Sequence, residues 1–335
     1  MTTPAFIEQL NTHVPVMDGA QIVSFGDPAA EALALSDARS TGAKGVVCVV
    51  PELIRLRFSG RDRASFLHNF CTNDIKGLSI GSACEVIFTN VKARVLGHGY
   101  ILADTDTHEL WMLPGDATAL FEHLNRYIIT EDVSIERVPA EFTCLLLTGA
   151  VNPVLSGLRP DMPADGPPLS CQLATDVSML RLNWQQPGML VCLSDAAAAQ
   201  MWPPLAAELT PGGRDMFEHL RIAETFPRVG TDLTSENLAV EAGRSEAISY
   251  VKGCYLGQEP IARIDAMGQV NRQLQTVLIG DDTTDEDTRN QLTSSSQAAG
   301  PQQTGIAMLS TKAGGSVQPA RTPDGRVVSV TVCAD

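Results

Sequence analysis

Three strand-like segments follow one another with only short turns between them, and this succession limits the folds open to the chain. The segments CEVIFTN, RVLGHGYIL and HELWMLP all lie within residues 84–114. They are too closely spaced for the helical crossovers that parallel strands need. They therefore predict an antiparallel sheet built from hairpins, and the amphipathic stretch DATALFEHLNRYI that follows predicts a helix. The sequence favours an α+β fold over a regular alternation of strands and helices.

The chain is too long for a single ordinary core, because it has 335 residues. Residues from about 140 to 225 are strand-rich with two helical stretches, which is typical of a small α/β sandwich. The last 60 or so residues hold short β segments with a Pro-Asp-Gly turn between two of them. We therefore predict three structural parts.

The composition argues against several classes of function. A net charge of −15 disfavours nonspecific binding to nucleic acid or to anionic membranes, which depends on clustered Lys and Arg. No tract approaches the ~18 apolar residues of a membrane span. The N-terminal residues lack the positive segment and apolar run of a secretory signal. We expect a cytoplasmic protein with no membrane or nucleic-acid partner.

The eight cysteines are scattered along the chain, and none of them forms a CxxC pair. Zinc and ferredoxin-type sites use closely spaced cysteines. We therefore expect no resident metal site.

Residues 252–259, KGCYLGQE, bring a cation, a thiol and an acid together around two glycines. Pro260 suits the first turn of a helix, because it lacks a donor that would be unsatisfied there anyway. We expect a helix to begin at residues 258–260 and a strand over AISYV, residues 247–251. Cys254 would then lie in the turn between them.

The turn could carry chemistry or could be a plain connector. Lys252 could lower the pKa of Cys254 if the two side chains converge, and Gly253 and Gly257 allow positive φ and close approach of a ligand to the backbone. A lone cysteine, however, is more often buried than nucleophilic. No histidine lies nearby in the sequence, so a cysteine hydrolase would have to recruit one through the fold.

The motif and its flanks resemble one protein family. KGCYLGQE is similar to the signature of the YgfZ-type branch of the aminomethyltransferase (glycine-cleavage T-protein) superfamily. Residues 227–243, PRVGTDLTSENLAVEAG, and residues 262–274, ARIDAMGQVNRQL, resemble the segments on either side of that signature. Residues 56–81 resemble the opening of the family's folate domain.

The resemblance implies an α+β, aminomethyltransferase-like fold, a three-domain cloverleaf around a central channel with ferredoxin-like folate domains and a C-terminal β-barrel. Residues 1–140 plus 226–270 would form a discontinuous folate-binding domain. Residues 141–225 would form the ferredoxin-like middle domain, and residues 271–335 the β-barrel.

The resemblance also implies a function, namely binding of tetrahydrofolate, or a one-carbon-substituted folate, and help in the assembly or repair of iron–sulfur enzymes. The partners would be the folate and the iron–sulfur client enzymes or assembly factors. Two alternatives stay open: a folate-dependent aminomethyltransferase, and a cysteine-dependent enzyme unrelated to folate.

The aminomethyltransferases of the family have an acid where this chain has Gly97 and His98, so the expected proton-handling carboxylate is missing. His98 could supply that function, or it could be a strand residue that faces solvent. Whether the chain is an enzyme is therefore left open.

The resemblance selects the candidate site residues, with Cys254 as the candidate catalytic residue. The candidate folate-binding residues are Lys252, Gly253, Tyr255, Gly257, Gln258, Glu259, Arg263, Glu224 and Asn90. Glu224 lies one position later than the acid of the family's Arg-x-Glu-x-Gly-x-Pro segment, where this chain has RIAETFP. Cations for the anionic tail of folate are expected from Lys92, Arg94, Arg228, Lys252 and Arg263.

Overall fold

The computed structural model of the chain describes most of the residues after position 44. The described residues are 15–19, 21–26, 31, 44–50, 53–113, 117–139, 142–149, 151, 154–156, 166–283, 288, 290–296, 303–312 and 317–333. The first 14 residues of the predicted folate-binding domain lie outside this part.

The described residues form strands and helices in a mixed order. The strands are β1 (Val16–Asp18), β2 (Gln21–Ser24), β3 (Val46–Val50), β4 (Ile54–Ser59), β5 (Ala83–Thr89), β6 (Val95–Ala103), β7 (His108–Met112), β8 (Ser134–Arg137), β9 (Phe142–Thr148), β10 (Cys171–Gln172), β11 (Val177–Arg181), β12 (Gly188–Ser194), β13 (Thr210–Gly212), β14 (Arg272–Asp282), β15 (Gln291–Ser296), β16 (Gln303–Ser310), β17 (Val317–Arg321) and β18 (Val327–Val332). The helices are α1 (Arg63–Phe70), α2 (Ala117–Asn125), α3 (Asp195–Glu208), α4 (Arg214–Ala223) and α5 (Gln258–Met267).

The first sheet has the order β5-β6-β7-β4-β8, and all its neighbouring strands are antiparallel. The successive strands β5, β6 and β7 pair as hairpins, which confirms the prediction from their spacing. Helix α2 also forms where predicted, and it buries Leu120 and Leu124 in the same core as Ile101 and Leu110 of the sheet. Apolar residues at helical spacing thus cover one face of this sheet.

The second sheet has the order β10-β11-β12-β9-β3-β13, and only β13 and β3 run parallel. All five residues of β3 are buried, because the sheet is covered on both faces. Val47 and Val49 join a core with helix α3, and Val46 and Cys48 join a core that includes helix α4. Strand β3 precedes residue 141, so this sheet draws on both sides of the predicted boundary there. The domain boundaries themselves stay a prediction.

The strands after residue 271 form a ring in the order β14-β16-β15-β17-β18. Strand β14 pairs with both β16 and β18, whereas β15 and β17 meet through the single parallel pair Gln291 and Arg321. The ring encloses its own small core, which includes Val277, Leu309 and Val330. It lies where the resemblance implies a C-terminal β-barrel.

The predicted strand at residues 247–251 is wrong. A short 3-10 turn, Ser245–Ala247, is followed by irregular chain. The backbone groups of this segment bond to Thr72 instead of to a strand: the Thr72 hydroxyl donates to the carbonyl of Ala247 at 2.6 Å, and the N–H of Ser249 donates to the carbonyl of Thr72 at 2.9 Å. Thr72, which is distant in the sequence, thus pairs backbone groups of residues 247–249 that a neighbouring strand would pair in a sheet.

Asp232 connects the strand ring to helix α4 through hydrogen bonds to both. Its buried carboxylate accepts hydrogen bonds from Arg221 Nη1 at 2.7 Å, from the N–H of Arg228 at 2.9 Å and from the hydroxyls of Thr293 and Ser294 at 2.5 and 2.6 Å. The side chain of Arg221 is 0% exposed, so its charge depends on this carboxylate and on Glu218 for compensation.

None of the helices in the described part of the chain is long and apolar enough to cross a bilayer.

We predict that Asp232→Ala lowers the free energy of unfolding by about 3–5 kcal/mol, because it leaves a buried arginine partly uncompensated. Urea unfolding followed by circular dichroism measures the change. Asp324→Ala is the matched control: Asp324 and its partner Arg326 are both 61% exposed, and such a pair contributes at most about 1 kcal/mol. If the two substitutions lower the free energy of unfolding equally, Asp232 does not connect the strand ring to α4 as assigned.

Candidate functional site

The KGCYLGQE turn is fixed against the turn that follows β5. Helix α5 begins at Gln258, as predicted, and Gly257 precedes it with a φ of 86°. A Cβ at Gly257 would lie 2.5 Å from both the carbonyl oxygen of Asn90 and the hydroxyl of Thr89. That hydroxyl donates a 2.7 Å hydrogen bond to the carbonyl of Leu256. Only glycine has both the backbone freedom and the small size that this contact requires.

The side chain of Lys252 points into the protein and is buried. Its Nζ donates to the carbonyls of His68, Cys71 and Asn73 at 2.6, 2.8 and 2.7 Å, and it lies 4.8 Å from the centre of the Tyr255 ring. Burial lowers the pKa of Lys252 from its usual value. All three ammonium protons donate hydrogen bonds to backbone carbonyls. Lys252 therefore holds the turn against the chain at the end of α1.

The remaining predicted residues of the turn differ in exposure. Cys254 is exposed, and its thiol has no hydrogen-bond partner within the described ranges. Gly253 is exposed as well, and a Cβ there would approach His68 Nε2 to 3.9 Å. Glu259 and Arg263 lie exposed on α5.

Two further predicted residues, Asn90 and Gln258, lie close to the turn. The side-chain oxygen of Asn90 accepts the N–H groups of Lys92 and Arg94 at 2.9 and 3.2 Å, so this amide stabilises its own turn. Gln258 is half-buried at the start of α5.

A buried ion pair between Arg244 and Glu85 lies behind the turn. Arg244 Nε and Nη2 donate to the two carboxylate oxygens of Glu85, each at 2.8 Å. The Glu85 side chain is 0% exposed. Burial by itself would raise the pKa of Glu85, but hydrogen bonds from Arg244 and His98 outweigh it and lower this pKa to about 2. Glu85 is therefore held as a carboxylate.

His98 faces the protein interior, so the alternative that it is a strand residue facing solvent is wrong. Its Nε2 lies 2.7 Å from Glu85 Oε1, and its Nδ1 lies 3.2 Å from the carbonyl oxygen of Pro227. Because Glu85 is held as a carboxylate, Nε2 is the donor in the contact between these two side chains.

Glu224 connects the ion pair to a cavity. Its Oε2 accepts the N–H of Gln185 at 2.7 Å, and its Oε1 accepts from Arg244 Nη1 at 3.3 Å. Burial raises the pKa of Glu224 above its ordinary value, and these hydrogen bonds offset the shift only in part. Each carboxylate oxygen has two lone pairs, so acceptor capacity remains.

The cavity beside Glu224 has a volume of about 620 Å³. It is lined by Gly149, Trp184, Gln185, Gln186, Pro187, His219, Leu220, Ala223, Glu224, Thr276, Thr304 and Cys333. A second chamber of about 320 Å³ shares four of these residues and adds Thr225, Gly243, Gln273, Leu274, Gln275 and Val332. The predicted site is therefore divided: Glu224 lines the cavity, and the described lining includes none of the KGCYLGQE residues.

The chain next to Glu224 is locally strained. Thr225 has a φ of 51°, in the left-handed region, which is a genuine outlier for a β-branched residue. It occupies the glycine position of the family's Arg-x-Glu-x-Gly-x-Pro segment. Its hydroxyl lies 2.6 Å from that of Thr276, which in turn donates to the carbonyl of Ile222. Hydrogen bonds to the cavity wall hold the strained conformation.

Glu85 and Arg244 are site residues that sequence reasoning missed. Arg244 lies in EAGRSEA, which has no chemical signature of its own. Of the two residues, only Glu85 could have been found from the sequence, because it is an acid inside the apolar strand segment CEVIFTN. Within the described residues, no group of three or more His, Cys, Asp or Glu could hold a metal ion.

The chain is similar to several known proteins. No protein-family model matches the chain. The chain is 30% identical over 248 residues to a putative chloroplastic transferase of Arabidopsis thaliana, over 69% of this chain and 55% of that protein. It is 28% identical over 225 residues to the tRNA-modifying protein YgfZ of Edwardsiella ictaluri, over 65% and 66% of the two chains. The YgfZ of Colwellia psychrerythraea is 22% identical over 222 residues.

The fold match is more extensive than the sequence matches. The crystal structure of the glycine cleavage system aminomethyltransferase T from Bartonella henselae superposes with a TM-score of 0.81, over 98% of this chain and 96% of that one, at 15% identity. The chain is therefore similar in sequence to YgfZ proteins and in fold to aminomethyltransferase T. Its mixed α/β architecture is the aminomethyltransferase T fold.

The acid that the resemblance to aminomethyltransferases leads us to expect is missing from this chain. Gly97 and His98 occupy that position on β6, and the nearby carboxylate is Glu85 on the neighbouring strand β5. Both oxygens of Glu85 are engaged by Arg244 or His98.

We predict that Gly257→Ala lowers the free energy of unfolding by at least about 2 kcal/mol, because a left-handed alanine is strained and its Cβ would collide with backbone and side-chain atoms. Thermal or urea unfolding measures the loss. Gly268→Ala is the matched control, since Gly268 also has a positive φ, of 64°, but a Cβ there meets nothing within 4 Å. That control should lose only about 1 kcal/mol. A Gly257→Ala protein as stable as the control would show that the turn does not depend on this contact.

Proposed function

We propose that this chain binds tetrahydrofolate, or a one-carbon-substituted folate, in the cavity beside Glu224. The observation that carries the proposal is the Glu224 carboxylate, held in place by Gln185 and Arg244 at the edge of a 620 Å³ cavity. A pterin ring presents an amino group and ring N–H groups, which are donors that a fixed carboxylate accepts. Trp184 supplies an apolar wall, and the cavity has the size of ordinary small-molecule sites.

We further propose that the folate-bound chain assists the assembly or repair of iron–sulfur enzymes, with those enzymes or their assembly factors as partners. This part of the proposal is supported by the sequence similarity to YgfZ proteins and by the resemblance of the KGCYLGQE motif to the signature of that branch. The relatives themselves carry the names tRNA-modifying protein and putative transferase. A cytoplasmic location also stays a prediction, and the plant relative is named chloroplastic.

Aminomethyl transfer is the less favoured function of the same cavity. A proton carrier needs a pKa near the working pH, and the pKa of Glu85 is about 2 with both its oxygens engaged. We expect no release of ammonia from an aminomethylated lipoyl carrier protein in the presence of tetrahydrofolate. Turnover above the protein-free rate would restore the transferase alternative.

The cysteine-dependent alternative finds little support in the environment of Cys254. The imidazole of His68 lies near Gly253 but is engaged with Asp74, whose Oδ1 is 3.1 Å from His68 Nδ1. The candidate catalytic role of Cys254 therefore stays a prediction. Complementation of a deletion strain by a Cys254→Ser variant as fully as by the wild-type protein would exclude it.

We predict that Glu224→Gln weakens tetrahydrofolate binding by about 10- to 100-fold, the effect of losing a charged hydrogen-bond acceptor. Because the pKa of Glu224 is raised, wild-type affinity should start to fall at a higher pH than for an ordinary carboxyl, and the variant should lack this pH dependence. Anaerobic titration calorimetry over a range of acidic to neutral pH measures both effects.

Glu208→Gln is the control for this substitution, because Glu208 is exposed at the end of α3, outside the described cavity lining. It should bind tetrahydrofolate with wild-type affinity. If Glu224→Gln binds as tightly as this control, the carboxylate does not hold the pterin and the assigned cavity is wrong.

A further inference from the structure

The fold brings two of the scattered cysteines together in the second sheet. Cys144 on β9 and Cys192 on β12 occupy directly opposite positions of this antiparallel pair of strands. Their Sγ atoms lie 3.0 Å apart. Directly opposite residues have Cα atoms about 4.5–5.5 Å apart, a separation within the range of about 4.4–6.8 Å that disulfides span. A bond between the two sulfurs therefore needs an approach of about 1 Å and no change of strand register.

A third buried cysteine, Cys48 on β3, shows how specific this pairing is. Cys48, Cys144 and Cys192 all belong to one hydrophobic core. Cys48 lies opposite Leu146 and is therefore diagonal to Cys144. Diagonal neighbours lie about 7–8 Å apart, and cysteines more than about 7 Å apart cannot be bridged without movement of the backbone. The strand register thus selects Cys192 as the disulfide partner of Cys144.

Burial determines which oxidants can reach the pair. Cys144 is 6% exposed and Cys192 is 0% exposed, so a bulky oxidant is excluded and a small, neutral one is required. Burial and the adjoining thiol raise the pKa of Cys192, Arg55 acts against this shift, and Glu109 adds to it. The Arg55 guanidinium is buried over the Phe142 ring, at 4.7 Å from its centre, and its Nη1 makes no hydrogen bond to any described residue. The pair is thus a shielded dithiol with a cation near it, and a nearby cation favours the reactive thiolate.

We infer that Cys144 and Cys192 form a redox pair, which hydrogen peroxide converts reversibly into a disulfide across β9 and β12. One sulfur attacks a peroxide oxygen, the O–O bond breaks, and the leaving hydroxide takes the thiol proton as water, so that a sulfenic acid forms. The second sulfur then attacks the sulfenic sulfur: the S–S bond forms, the S–O bond breaks and a second water leaves. Two thiols are oxidised and one peroxide is reduced, and an external dithiol reverses the reaction by exchange.

The disulfide has consequences for the fold around it. It closes the chain between residues 144 and 192, which restricts the unfolded state and so stabilises the folded one. It also joins two strands that lead to the cavity, because Gly188 of β12 pairs with Thr148 of β9, and the adjacent Pro187 and Gly149 line the cavity. Formation of the disulfide does not require folate, so the inference is independent of the proposed function.

The test is oxidation of the folded full chain with hydrogen peroxide. The remaining thiols are then blocked with N-ethylmaleimide in denaturant, the chain is digested without reductant, and the peptides are identified by mass spectrometry. We expect the peptide with Cys144 to be linked to the peptide with Cys192, and dithiothreitol to separate them. If the two cysteines are recovered in any other state, as blocked thiols or linked to another cysteine such as Cys48 or Cys254, the inference is wrong.

Thermal unfolding of matched variants provides a second measurement. Oxidation should raise the Tm of the wild-type protein by about 5–10 °C, the effect of a typical disulfide. Cys192→Ala should lack this shift, and Cys48→Ala, which removes a buried cysteine outside the pair, should keep it. A shift that persists in Cys192→Ala arises from another link and overturns the inference. If Cys192→Ala does not fold, Cys144→Ala replaces it, and the peptide mapping of the wild-type protein decides without either variant.

Discussion

The bidentate ion pair of Arg244 with Glu85 is the interaction on which the rest of the site depends. Both charges are removed from water, and the desolvation of such a pair is offset only when geometry and further hydrogen bonds are good. Here the two 2.8 Å contacts are supplemented by His98 on one side and by the carbonyl and carboxylate of Glu224 on the other. The pair thus joins the first sheet to the end of α4.

This ion pair also links the KGCYLGQE turn to the cavity. The carbonyl of Asn73 accepts a hydrogen bond from Lys252, and the side-chain amide of Asn73 donates one to the carbonyl of Glu85. The turn therefore lies at one end of a series of polar contacts, and Glu224, the acceptor proposed for the pterin, lies at the other end. Two residues of the KGCYLGQE motif have structural roles. Lys252 and Gly257 contact neighbouring segments of the chain and fix their positions.

Local patterns predicted the parts of the structure that depend on local physics. The hairpins β5–β7 follow from alternation and short turns, and the start of α5 follows from Pro260. The strand predicted at residues 247–251 failed because Thr72, far away in the sequence, supplies the backbone partners. The sequence likewise could not predict the roles of Lys252 and Arg244, because their hydrogen-bond partners are carbonyls and carboxylates of distant segments. Glu224 lies one position later than the acid of the family's segment, so the sequence could not tell whether its side chain reaches the site. In the structure Glu224 is the residue that ends α4.

Two cysteines of the chain allow a direct test of whether folate binds at the Glu224 cavity and not at the KGCYLGQE turn. Cys333 lines both chambers, whereas Cys254 is exposed on the turn. The measurement is the rate of alkylation of each thiol, followed by peptide mass spectrometry with and without tetrahydrofolate. At a ligand concentration ten times the dissociation constant, alkylation of Cys333 should slow about ten-fold and that of Cys254 should not change. Unchanged alkylation of Cys333, or protection of Cys254 alone, would contradict the account.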